Sequence, residues 1–199
     1  MISEKNLRRI MNSLMCCMLA LGVALGLAGC GNNAEKLIRA DVEEAMEIFK
    51  NPTKEKLQPY LEKSGADLSE LSEYGIDIYE FCEHAFKHFD YNIDSVKVDG
   101  DTATVKLTVR NANLTDAVTK VTEDITSNIG DYAEYFTGED SEAELYRVIF
   151  SKVYDELDKA TETVESDATL TYTKDDGAWS VDKESMQVLI SKMFGGVRL

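Results

Sequence analysis

The chain has 199 residues, with 37 Asp and Glu against 21 Lys and Arg, and a net charge of −16 at pH 7. That balance excludes nucleic-acid binding, which needs a basic footprint, and it opposes an anionic membrane surface over a screening reach of ~8 Å at physiological salt. The length and the 44% hydrophobic content suit one domain whose core needs no disulfide.

In chain order, Lys5, Arg8 and Arg9 come first, then an apolar run over residues 10–27, then small residues leading into Cys30. A positive start, an apolar middle and a small-residue end describe a secretory signal. A membrane span needs roughly 20 apolar residues. Asn12 and Ser13 shorten this run, and no basic cluster follows it. Leu27-Ala28-Gly29-Cys30 resembles the lipobox of bacterial lipoprotein precursors. The resemblance implies cleavage between Gly29 and Cys30 and a diacylglycerol on the Cys30 sulfur. It makes the membrane a partner reached through lipid, with the domain outside the cytoplasm. Two acyl chains anchor stably where one is marginal, at ~0.8 kcal/mol per buried CH₂. Residues 1–29 are then a signal peptide, 30–33 the lipidated cysteine with a short tether, and 34–199 a single domain. Cys16 and Cys17 leave with the signal, and Cys82 is the one thiol remaining to the domain.

Asn33 stands where an N-cap is expected, and Ile38, Val42, Ala45 and Phe49 predict an amphipathic helix over 34–50, stopped by Asn51-Pro52. Residues 53–75 read as short helices broken by Pro59, Gly65 and Gly75, with capping boxes at Asp67/Glu70 and Asp77/Glu80. From Asp77, a helix of about three turns carries Ile78, Cys82, Ala85 and Phe89 on one face. The period then changes to two. Ala103, Val105, Leu107 and Val109 alternate with polar residues, and Asp99-Gly100 signals a hairpin. Tyr91 and Ile93 are odd-numbered while Val96 and Val98 are even, so the face switches near Asp94-Ser95 and predicts a bulge. Leu114, Val118, Val121, Ile125, Ile129, Tyr132 and Phe136 begin a helical hairpin over 113–160 that turns near 137–140. Strands return at about 163–182 around an Asp175-Asp176-Gly177 turn, and a last helix over 183–194 carries Met186, Leu189, Ile190 and Met193.

This order, with the stretches VEEAMEIFKNPTKEKLQPYL, SVKVDGDTATVKLTV and LTYTKDDGAWSVD, resembles small bacterial lipoproteins that carry a nuclear transport factor 2-like (cystatin-like) domain. The resemblance implies an α+β fold in which a curved antiparallel sheet of about four strands packs with helices, here with an inserted helical hairpin. Members of that wider fold include isomerases and dehydratases as well as ligand binders and dimers.

Three sets of residues carry candidate chemistry. Glu80, His84 and His88 fall at i, i+4 and i+8, a spacing that can share a divalent cation, although a solvated helix face explains it too. Tyr172 and Ser166 are the polar members of an otherwise apolar strand face and the candidates for a ligand pocket, though Tyr172 reads first as a core aromatic whose hydroxyl finds a partner. Tyr132, Tyr135 and Phe136 crowd the hairpin tip as a candidate interface, or close the hairpin core. No catalytic constellation and no cofactor motif is read. The expected function is a non-enzymatic, lipid-anchored binding or interaction module of the cell envelope. The alternatives are a small-ligand pocket enzyme or a cation binder. The expected partners are a protein or small molecule, or a second copy of the chain.

Overall fold

The computed structural model describes residues 4–23, 27–28, 33–64, 67–136 and 141–196. The elements are α1 (Glu4–Val23), β1 (Leu27–Ala28), α2 (Ala34–Lys50), α3 (Lys54–Ser64), α4 (Ser69–Glu73), α5 (Ile78–Ala85), β2 (Asp90–Asp99) and β3 (Thr102–Asn111). There follow α6 (Leu114–Ser127), a 3-10 turn (Ile129–Phe136), α7 (Ser141–Asp158), β4 (Val164–Asp175), β5 (Ala178–Val181) and α8 (Lys183–Met193). Four strands form an antiparallel sheet in the order β2-β3-β4-β5, and the two-residue β1 adds to the free side of β5. The protein is α+β.

The register explains the strand pattern. Val105 lies opposite Leu170 and Leu107 opposite Ala168, so the apolar residues of β3 and β4 share one face. The other face carries Lys106, Thr169, Thr171 and Thr173, all exposed. Such alternation belongs to a sheet packed on one side and wet on the other. In β2 the pairing slips between Ile93 and Ser95, which leaves Asp94 as the extra residue. The bulge keeps Tyr91 and Ile93 in phase with Val96; without it the two halves of β2 would point to opposite faces. Asp176 (φ 47°) and Gly177 (φ 84°) make the β4–β5 turn, a left-handed pair that a type I′ hairpin requires.

Helices α2 and α8 pack on β2 and β4, and α6 pairs with α7 as the expected hairpin. The hairpin tip at 137–140 lies outside the described residues. Its first arm is not one continuous helix. Asn128 ends α6 by donating to the Asp124 carbonyl and carboxylate (3.1 and 2.9 Å), and the chain continues as a 3-10 turn through Gly130. Pro59 does not break its segment either: α3 runs through it, losing one backbone bond while Leu57 and Leu61 stay buried on either side. Asn33 occupies the cap position of α2 without a side-chain cap; only its carbonyl is used, by the Leu37 N–H at 3.0 Å. Helix α5 ends at Ala85, about two turns long, so His88 lies in the turn beyond it.

An aromatic chain ties the helices together. Phe86 stands 5.0 Å from both Phe49 and Phe194, and Phe194 stands 6.0 Å from Phe81. At the same junction, fully buried Asn111 donates to the carbonyls of Ala85 and Met193, both at 2.8 Å, and accepts the Ala112 N–H at 2.8 Å. The end of β3 is thereby fastened to the C-terminal ends of α5 and α8. Gly195 (φ 79°) lets the chain leave α8 against Asn113, whose Cα would lie 2.8 Å from any Cβ added there. Removing the Asn111 amide strands two buried carbonyls and one N–H. Asn111→Ala is therefore expected to cost about 2–4 kcal/mol in urea unfolding. A loss below about 0.5 kcal/mol would show that the fold does not depend on this clasp.

Candidate functional site

Two clusters of ionisable side chains bear on the candidate residues. The first joins α5 to α7. His84 Nδ1 lies 2.8 Å from Asp158 Oδ1, Lys87 Nζ donates to Asp158 Oδ2 at 2.7 Å, and His88 Nε2 lies 3.3 Å from the Asp158 carbonyl. The His84 ring stacks on Tyr154, centroids 4.5 Å apart and 5° from parallel. Partial burial pushes the Asp158 carboxyl up, but the bonds from Lys87 and His84 outweigh it and hold it below the ordinary value. The two histidines of the candidate cation site thus converge on the last residue of α7, while Glu80 stays exposed at the start of α5. Among the described residues no group of three or more His, Cys, Asp or Glu side chains is arranged to hold a metal ion.

The second cluster is inside. Asp41, 4% exposed on α2, accepts a hydrogen bond from the Tyr172 hydroxyl of β4 at 3.0 Å. Burial drives the Asp41 carboxyl up to about 6; the Tyr172 bond opposes this and the nearby Glu44 charge adds to it. Tyr172 is pushed up as well, by burial and then by Asp41. A carboxyl near neutrality beside a phenol is a pair able to hold or pass a proton. Across the same sheet face Trp179 is buried, and its Nε1 has no hydrogen-bond partner among the described residues. The described clefts open elsewhere. The one of about 340 Å³ lies between α6 and α7, lined by Lys120, Asp124, Lys152, Asp155 and their neighbours.

Tyr172 is a core residue, and Ser166 sits six residues away on the same strand, about 20 Å along it. The two do not line one pocket. Tyr132 points into the hairpin: its hydroxyl bonds Asp124 at 3.0 Å and Lys152 lies 5.4 Å over its ring. Tyr135 is half-buried against the core, and the Phe136 side chain lies outside the described residues. Gly29 and Cys30 also lie outside them. Cys82 is fully buried, and burial, with Cys17 nearby, pushes its thiol far up, so it packs and does not react. Compared with known proteins, the chain matches no family model, no curated protein and no solved structure.

Neither Asp41 nor Asp158 stands out in the sequence, though each leaves a sign there. Asp41 falls on the apolar stripe of α2, three residues after Ile38 and next to Val42. Asp158 puts a negative charge at a helix C-terminus, where the dipole disfavours it unless cations hold it.

These shifts predict opposite pH behaviour. The raised Asp41 gives stability that is complete below about 3.8 and lost as pH rises through about 6. Asp41→Asn keeps an acceptor for Tyr172 and is expected to gain about 3 kcal/mol over the parent at pH 8, with little gain at pH 4. The lowered Asp158 gives stability present above about 3.8 and lost as pH falls through its lower folded value. Asp158→Asn should lose about 1 kcal/mol at pH 7, less in high salt, and nothing in strong acid. Urea unfolding of both variants across pH checks this; parallel curves for the parent and Asp41→Asn would refute the buried-acid assignment.

Proposed function

We propose that this chain is a lipid-anchored, extracytoplasmic binding module of the bacterial cell envelope, built on a nuclear transport factor 2-like domain and acting without catalysis. The observation that carries it is Leu27-Ala28-Gly29-Cys30 at the end of a basic-then-apolar leader. Residues 1–29 meet the domain through the pairing of Leu27 with Trp179 and Ala28 with Ala178 and through the packing of α1 on α3, α4 and α8. Helix α2 begins at Ala34, four residues after Cys30, so a lipid on Cys30 would hold the domain close against the bilayer. No described helix is long and apolar enough to cross a membrane. The domain reading draws on α2 laid on an antiparallel sheet whose helices share its apolar face. The non-catalytic reading draws on how the polar groups are engaged: His84 ties two helices, and Asp41 is closed off by Tyr172.

A small-ligand enzyme of the isomerase or dehydratase type is the second reading, favoured by the raised Asp41 carboxyl beside Tyr172. An added mass in native spectra of the protein from envelope extract, absent in Asp41→Asn, would support it.

The anchoring is tested by expressing the full chain and its Cys30→Ala variant in a bacterial host. The parent is expected in the membrane fraction, beginning at Cys30 and carrying the mass of a diacylglycerol. The variant is expected uncut and without lipid. A parent that keeps its first 29 residues, or a variant cut and anchored like the parent, sinks the reading.

A further inference from the structure

Helix α1 does not stand apart from the domain. It packs on α3, α4 and α8, and Ile10, Leu14 and Cys17 are at most 2% exposed. Leu7 and Met11 pack half-buried beside them. These five positions run i, i+3, i+4, i+7, i+10, the single stripe by which an amphipathic helix fills a groove. Beneath lie Leu57 and Leu61 of α3 and Leu71 of α4, and Cys82 of α5 is near Cys17. At the N-terminal end Asn6 donates to Glu142, and Lys5 and Arg9 are exposed on the same turns.

If processing at Cys30 removes α1, as the proposed function has it, the apolar faces of α3, α4 and α8 lose their cover. Soluble proteins rarely leave such a stripe open unless it is a binding surface. We infer that this groove is the docking site of the mature protein, and that its occupant is an amphipathic helix of another envelope protein, with a basic start and an apolar stripe spaced like that of α1. The helical form of the occupant comes from the shape that α1 fills. Its charge comes from complementarity: without residues 1–29 the domain carries 36 acidic against 18 basic side chains, and Glu142 stands at the rim. The leader thus holds the site shut until it is cut away.

The test uses the processed full-length product, placed in phosphatidylcholine nanodiscs. The probe is a fluorescent peptide of residues 4–18, with Ser for Cys16 and Ala for Cys17 to prevent oxidation. Mass spectrometry first establishes the processing state. The processed protein should bind the peptide saturably. The Cys30→Ala precursor, its groove filled, and empty nanodiscs should not. Ile10→Asp with Leu14→Asp in the peptide should weaken binding about tenfold or more, as loss of buried anchors does. Because the changes sit in the peptide, no folding defect intervenes. A mass of uncut chain overturns the anchoring reading and the inference with it. A processed protein that ignores the peptide, or binds the doubly substituted one equally, overturns the inference alone. Binding that appears only after the acyl chains are hydrolysed from Cys30 assigns the groove to the protein's own lipid, and binding lost on dimerisation assigns it to a second copy; either overturns the helix.

Discussion

The Asn111 side chain is the point on which the arrangement of the domain turns. Its amide satisfies the last carbonyls of two helices at once, Ala85 and Met193, and its own oxygen takes the next backbone N–H. Helix ends leave carbonyls without intrahelical partners, and here two such ends are buried together. An apolar residue at 111 would fill the volume and leave those groups unpaired. An aspartate would set an acceptor against two acceptors. Only a donor–acceptor side chain of this length meets all three, so the ends of β3, α5 and α8 are brought to one place. The Phe81, Phe86 and Phe194 rings then pack around that place.

From this junction the other features follow. Fixing the end of α5 puts His84 and His88 over the end of α7, where Asp158 needs cations to offset the helix dipole. Fixing α8 sets one wall of the groove that α1 fills. The sheet side is governed by a different interaction. Asp41 places a carboxyl in the core, and the single bond from Tyr172 does not recover what hydration gave it. The protein tolerates this by keeping the acid largely neutral up to about pH 6. Such a group lowers stability at neutral pH and adds nothing to packing that an Asn or Leu would not add. That cost makes the pair the feature of the core least explained by folding alone.

Much of this was legible from the chain. The bulge at Asp94 followed from a change of parity between Ile93 and Val96, and the register bears it out, because a period of two is sensitive to one inserted residue. The β4–β5 turn, the α2 stripe and the α8 stripe were readable for the same reason: each is decided by neighbours in sequence. The length of α5 was not. The apolar spacing continues to Phe89, yet the helix stops at Ala85, and Asn111, 26 residues on, takes the carbonyl left free there. Pro59 misled in the opposite sense, since burial of Leu57 and Leu61 outweighs one lost backbone bond. The polar pairs were hidden because they join residues far apart, Asp41 with Tyr172 and His84 with Asp158. No local periodicity encodes such a pairing.

If α1 is the leader of an exported chain, as proposed, its packing couples export to folding. The stripe of Ile10, Leu14 and Cys17 that sits in the groove is part of the apolar run that would mark the chain for export. A leader buried in its own domain is not available to be recognised. The groove, however, needs α8, which begins at Lys183, as well as α3 and α4. The first helix therefore meets its last wall only after nearly the whole chain exists. Contacts between chain ends are slow to form, because loop closure must precede them. At a synthesis rate of about 5–20 residues per second, α1 stands uncovered for roughly 10–30 s before α8 emerges. Sequence distance between α1 and α8 thus keeps α1 exposed during synthesis, and the same helix closes the groove once the whole chain has folded.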